Sequence, residues 1–228
     1  MSDRGLIERW PNKYRLYLPQ LPGFRLERPT VKALMTGAQL AIADHQSWMQ
    51  RHELPTPEIH PREIKVFEEA EATNTICGPI LHNDLYAPGE ALFHLALQVG
   101  IASCKDLLTL YAEADDRQKV YKFSPDENSV NETLTDIAMR IVWFSTRLEN
   151  PRRQDTPVDL PEDPAYALEF SQKVFEVRMR VKYTPGQSQK NSLDDEDWTL
   201  RKVLRIQTAY LRYEAFPELL RAVRQRIP

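Results

Sequence analysis

Prolines outnumber glycines seventeen to seven in this chain of 228 residues. That imbalance constrains the fold more than any other feature. Proline fixes φ and removes a backbone donor, so the pattern predicts helices punctuated by stiff connections. Scarce glycine argues against the sharp loops that cradle phosphates. No P-loop, GxGxxG, GxSxG, HExxH or EF-hand pattern occurs in the chain.

Between the prolines, apolar residues recur mostly at helical spacing. Val31, Leu34, Met35, Ala38, Ala41, Ile42, His45, Trp48 and Met49 predict a helix from about Pro29 to His52, with Thr30 as its N-cap. Further helices are expected over Pro61–Asn74, Pro88–Val99, Ser103–Tyr121 and Ser129–Leu148, with Gly100 breaking or bending the third. Ser129 and Glu132 form a capping-box pattern. A sixth helix begins near Asp163, a seventh spans Leu193–Tyr213 with Ser192 as its cap, and Pro217 starts a short terminal one. The expected fold is all-α: an irregular bundle of about seven or eight helices. Residues 1–29, irregular and proline-rich, form an N-terminal arm, with room for one short β-hairpin and a strand at Tyr14–Leu18. Residues 30–228 form one helical domain, and the polar linker 149–164 is the candidate sub-domain boundary.

One stretch supports two readings. In FEVRMRVKY, from Phe175 to Tyr183, apolar and charged residues alternate as in a strand. Phe170, Val174, Val177 and Val181 also follow a 4-3-4 helical rhythm. Glu169–Lys173 and Glu176–Arg180 are i,i+4 pairs with the acid first, the supportive order. The helix is the expectation, and Arg178, Arg180 and Lys182 then form no single cationic face.

Composition narrows the class. Hydrophobic residues make up 42% and charged residues 28%, as in globular proteins. Cys77 and Cys104 form no CxxC pair, so neither a disulfide framework nor a cysteine-rich zinc site is expected. The N-terminus lacks an apolar signal-peptide core, and no spanning helix is expected. These features predict a cytoplasmic protein with no membrane association. The net charge of −3 is unevenly spread: residues 173–228 are basic and the rest acidic.

Three groups of residues are candidates for function. Arg201, Arg205 and Arg212 fall roughly on one face of the seventh helix, and Arg221 and Arg224 continue the basic run on the last; such a row fits a protein partner or phosphates. His82-Asn83-Asp84 is the best place for a polar site made by neighbouring residues, or else makes a turn. His45 and His52, seven apart on one helix, are core-edge or surface residues, and His94, set among leucines, is a buried one. The third group is acidic: Glu63, Glu68, Glu69 and Glu71 on the second helix, and Glu132 and Asp136 on the fifth. Glu68 and Glu71 resemble the ExxE half of the all-α nucleotide pyrophosphohydrolases. That resemblance implies magnesium-dependent hydrolysis of a nucleotide. It covers a handful of residues: Glu132 and Asp136 are one residue further apart than the family's ExxD, and Glu113–Asp116 is badly placed.

The expected function is non-catalytic: a helical adaptor or accessory subunit that binds another protein, with no cofactor and no metal. The alternatives are a nucleic-acid-binding subunit using the arginine face, and a magnesium-dependent nucleotide hydrolase using Glu68, Glu71, Glu132 and Asp136.

Overall fold

The computed structural model describes residues 4–60, 64–72, 77–149, 158–193 and 195–225. It corrects the all-α expectation. The helices accompany a four-stranded mixed sheet and a two-stranded one.

Residues 4–29 are no arm. Strands β1 (Arg4–Trp10) and β2 (Lys13–Tyr17) form a hairpin closed by Pro11 and Asn12, and β3 (Leu26–Arg28) pairs with β2. Ile7, Leu16, Leu18, Leu21, Phe24 and Leu26 bury themselves against α1 (Val31–Arg51). Thr30 caps that helix as expected, its Oγ1 accepting from Ala33 N–H at 3.1 Å. β1 lies in the interior of the sheet, with Leu6, Ile7 and Glu8 all buried. A strand covered on both faces shows no alternation, and a buried glutamate disguises it further.

The second expected helix, Pro61–Asn74, is instead strand β4 (Lys65–Glu71), parallel to β1 and at the edge of the sheet order β3-β2-β1-β4. Residues 61–63 and 73–76, including Glu63, lie outside the described residues. Three glutamates and an alanine favour helix locally. Pairing with β1 overrides them, since isolated helices this short are marginal.

α2 (Glu90–Ala112) merges two expected helices and runs unbroken through Gly100. A Cβ at Gly100 would sit 3.1 Å from Gln172 Nε2, so glycine is there for close helix approach. Leu95, Val99 and Ala102 face the core under the four-stranded sheet, while Phe93, Leu97, Cys104 and Leu107 face a second, larger core. Burial on both sides explains why α2 alone, among the described residues, is long and apolar enough to cross a membrane.

The larger core gathers α4 (Val130–Thr146), α5 (Pro164–Lys182), α6 (Leu200–Tyr210) and α7 (Phe216–Arg224), with short α3 (Asp116–Val120) at its edge. The capping box at Ser129 and Glu132 forms as expected. α5 resolves the ambiguous stretch as a helix, but its buried stripe is Leu168, Ser171, Gln172, Phe175 and Met179, while Val181 is 76% exposed. Two polar residues in the seam rotate the true face away from the apolar rhythm. Residues 150–157 of the linker lie outside the described residues; α4 and α5, on its two sides, share the one core.

The expected helix start at Leu193 is a hairpin, β5 (Lys190–Leu193) and β6 (Glu196–Thr199), with Asp195 at φ 59° in its turn. Ser192 caps nothing there; its hydroxyl donates to Asp197 Oδ1 at 2.5 Å. Thr199 is the cap, accepting from Lys202 N–H at 3.2 Å. Between α6 and α7 the chain widens into a π-helical turn, Leu211–Ala215.

Candidate functional site

The arginines expected on one face part company. Arg205 turns inward and is 10% exposed. Its Nη1 donates to Glu8 Oε1 at 2.6 Å, its Nη2 to Asp84 Oδ2 at 2.7 Å and to the Pro79 carbonyl at 3.1 Å, and its Nε to Asp84 Oδ1 at 3.3 Å. The guanidinium also lies 4.7 Å over the Tyr17 ring. Glu8 further accepts from Tyr17 Oη at 3.3 Å and Trp10 Nε1 at 3.2 Å. Burial works to lower the Arg205 pKa, but Asp84 and Glu8 outweigh it and hold it above the ordinary arginine value. Burial, then Glu8, raises the Tyr17 phenol. This satisfied cluster is a clip between β1, the short 3₁₀ turn His82–Leu85 and α6. Asp84 also caps its own turn, accepting from Leu81 N–H at 3.1 Å.

Arg201, one turn earlier on α6, faces a groove. Its Nη1 donates to Asn83 at the backbone oxygen (3.1 Å) and at Oδ1 (3.2 Å), both neutral acceptors. Burial holds its pKa below the ordinary arginine value, with Asp84 opposing. The groove has a volume of about 700 Å³ and mostly apolar walls: Pro19 and Gln20 after β2, Pro55 to Pro57 after α1, and Leu92, His94, Leu95 and Gln98 on α2. At Arg201, Pro19 and Leu92 it adjoins a tight slot of about 40 Å³ that reaches Asp84 and Arg205. His94, expected to be buried, is half-exposed on the groove wall, 3.8 Å from Glu90. The local polar site foreseen at His82-Asn83-Asp84 therefore has a non-local role: it holds Arg201 and Arg205.

Arg212 and Arg224 lie elsewhere, in a pocket between α1, α2 and the C-terminal helices, where Arg51 and His52 join them. His52 Nε2 and Asp106 Oδ1 are 3.0 Å apart. Trp48 Nε1 donates to Asp106 Oδ2 at 2.6 Å. A histidine–carboxylate pair can serve catalysis if it meets a nucleophile. The one hydroxyl among the described lining residues, Thr109, donates instead to Lys105 O at 2.9 Å within α2. Arg221 is exposed on α7 and lines neither cavity.

The carboxylates do not converge. On a strand, Glu68 and Glu71 point to opposite faces. Glu68 accepts from His82 N–H at 2.6 Å, and Glu71 pairs with Arg9. On α4, Glu132 completes the capping box and pairs with Lys122 at 2.6 Å, while Asp136 accepts from Asn128 Nδ2 at 2.6 Å. No group of three His, Cys, Asp or Glu side chains is poised to hold a metal among the described residues. The spacing that resembled a nucleotide hydrolase rested on a helix that is a strand.

The groove residues Pro19, Leu92 and Gln98 and the pocket residues Arg51 and Asp106 carried no signal in the sequence. Each lies on an ordinary helix face or turn and acquires neighbours only through packing. No family model matches the chain, and no curated protein or solved structure is significantly similar to it.

Proposed function

We propose that the protein is a non-catalytic subunit that binds another protein, and that the groove beside Arg201 receives an extended apolar segment of the partner carrying a carboxylate. The observation behind this reading is Arg201 itself. A partly buried guanidinium lining an apolar groove, hydrogen-bonded to two neutral oxygens, has an unmet preference for a carboxylate. An acidic side chain or a chain terminus supplies one. Proline-rich walls stay rigid on binding, which lowers the entropic cost of recognition.

The test places a photo-crosslinking amino acid at Gln98, on the groove wall, in the full chain expressed in its own cells. The expected outcome is one stoichiometric partner joined through a short acidic, apolar segment. A synthetic peptide of that segment should bind the purified protein and lose about tenfold or more in affinity with Arg201→Glu. Unchanged peptide binding by that variant, or crosslinks scattered over many proteins, overturns the proposal.

A further inference from the structure

The second pocket, of about 470 Å³, lies within the range of small-molecule sites. Three arginines from separate elements reach it: Arg51 from the last turn of α1, Arg212 from the π-helical turn and Arg224 from the end of α7. Two carboxylates line the pocket as well, Asp106 and the exposed Glu113, and among the described residues the one ion pair to these arginines is a long one. Arg212 is 18% exposed and stacks 3.7 Å over Trp48, and its nearest carboxylate oxygen, Asp106 Oδ2, is 3.8 Å away. That oxygen already accepts from Trp48, and its companion faces His52. Arg212 Nε is buried with no hydrogen-bond partner among the described residues. Arg51 and Arg224 are exposed and make no ion pair with any described residue. Burial holds the Arg212 pKa below the ordinary value; Tyr213 and Asp106 oppose it, and Arg51 adds a smaller push downward, as like charges do. Phe216 and Leu220 supply an apolar wall beside the cations.

A carboxylate has two oxygens and is satisfied by one arginine fork. A phosphate monoester offers three oxygens and up to two charges, and matches several forks at once. We infer that this pocket binds a small organic phosphate, with the phosphoryl group among Arg51, Arg212 and Arg224 and the organic part against Phe216 and Leu220. The site is separate from the groove at Arg201 and stands independently of the function proposed for it.

Calorimetric titration of the full chain with phenyl phosphate tests the assignment. One molecule is expected to bind per chain, more tightly than inorganic phosphate because the ring covers Phe216 and Leu220. The double variant Arg51→Glu, Arg224→Glu changes two exposed residues and so should keep the wild-type melting temperature while weakening binding by about tenfold or more. Arg221→Glu, exposed but outside the pocket, should leave binding unchanged. No saturable binding at millimolar phenyl phosphate, equal affinity for inorganic phosphate, or equal weakening by Arg221→Glu overturns the inference.

Discussion

Arg205 Nη1 lies 2.6 Å from Glu8 Oε1, although 197 positions separate the two residues in the chain. With Asp84 they form a buried cluster in which Glu8 is 0% and Asp84 1% exposed. Removing the cation leaves two carboxylates without their charge partner. Arg205→Met should therefore destabilise the fold by about 3–5 kcal/mol, read from urea unfolding. Arg205→Lys should recover part of this loss, since an ammonium keeps the charge but lacks the fork. A loss below about 1 kcal/mol for the methionine variant would show that the cluster is not the clip described above.

Gly78 covers the same carboxylate. It adopts φ +98°, and a Cβ there would come 2.6 Å from Glu8 Oε1. Gly78→Ala combines a conformation disfavoured for alanine with a clash against a fixed charge. The expected loss is about 2 kcal/mol or more. Gly186 also has positive φ, but its Cβ position is open, so Gly186→Ala should cost only the backbone part, about 1 kcal/mol. Equal losses at the two sites would remove the steric argument.

His45 makes stability depend on pH. Burial, with Arg212 nearby, pushes its pKa down to about 3 from an ordinary 6.5, against a smaller opposing effect of the Pro22 carbonyl. Nε2 lies 3.0 Å from that carbonyl, and Nδ1 is buried with no partner among the described residues to accept from a second proton. The unfolded chain takes up a proton below pH 6.5 and the folded one does not until about 3. Stability is thus full above 6.5 and falls as the pH drops between those values. From pH 7 to pH 5 this one residue should remove about 2 kcal/mol. His45→Gln should flatten that slope, whatever its own stability; an unchanged slope counts against the assignment.

Ser129 offers a local counterpart. Its side chain accepts from Glu132 N–H while Glu132 reaches back to the Ser129 N–H at 2.9 Å. Ser129→Ala should cost about 1 kcal/mol. Glu132 also pairs with Lys122, so Glu132→Gln, which keeps the hydrogen bond and removes the charge, should cost less than the serine variant. Calorimetric melting of both variants checks the order.

What the sequence determined by itself is the local part of this protein. Thr30, Ser129 and Asp163 mark true helix starts, because a capping side chain acts on backbone groups two or three residues away. The helical reading of Phe175 to Lys182 came from i,i+4 pairs, which are equally local. The non-local part depends on residues far apart. β1 is a strand with a buried glutamate because Arg205, Tyr17 and Trp10 meet it. β4 is a strand despite its glutamates because β1 lies alongside it, and α2 passes through Gly100 because two other helices press on that point. The arginine row divided for the same reason. A periodic pattern shows which residues share a face, but what waits opposite each one, Glu8 for Arg205, Asn83 for Arg201 and Trp48 for Arg212, is set by packing across the whole chain. A desolvated charge settles where a partner compensates it, and spacing along one helix carries no information about that partner.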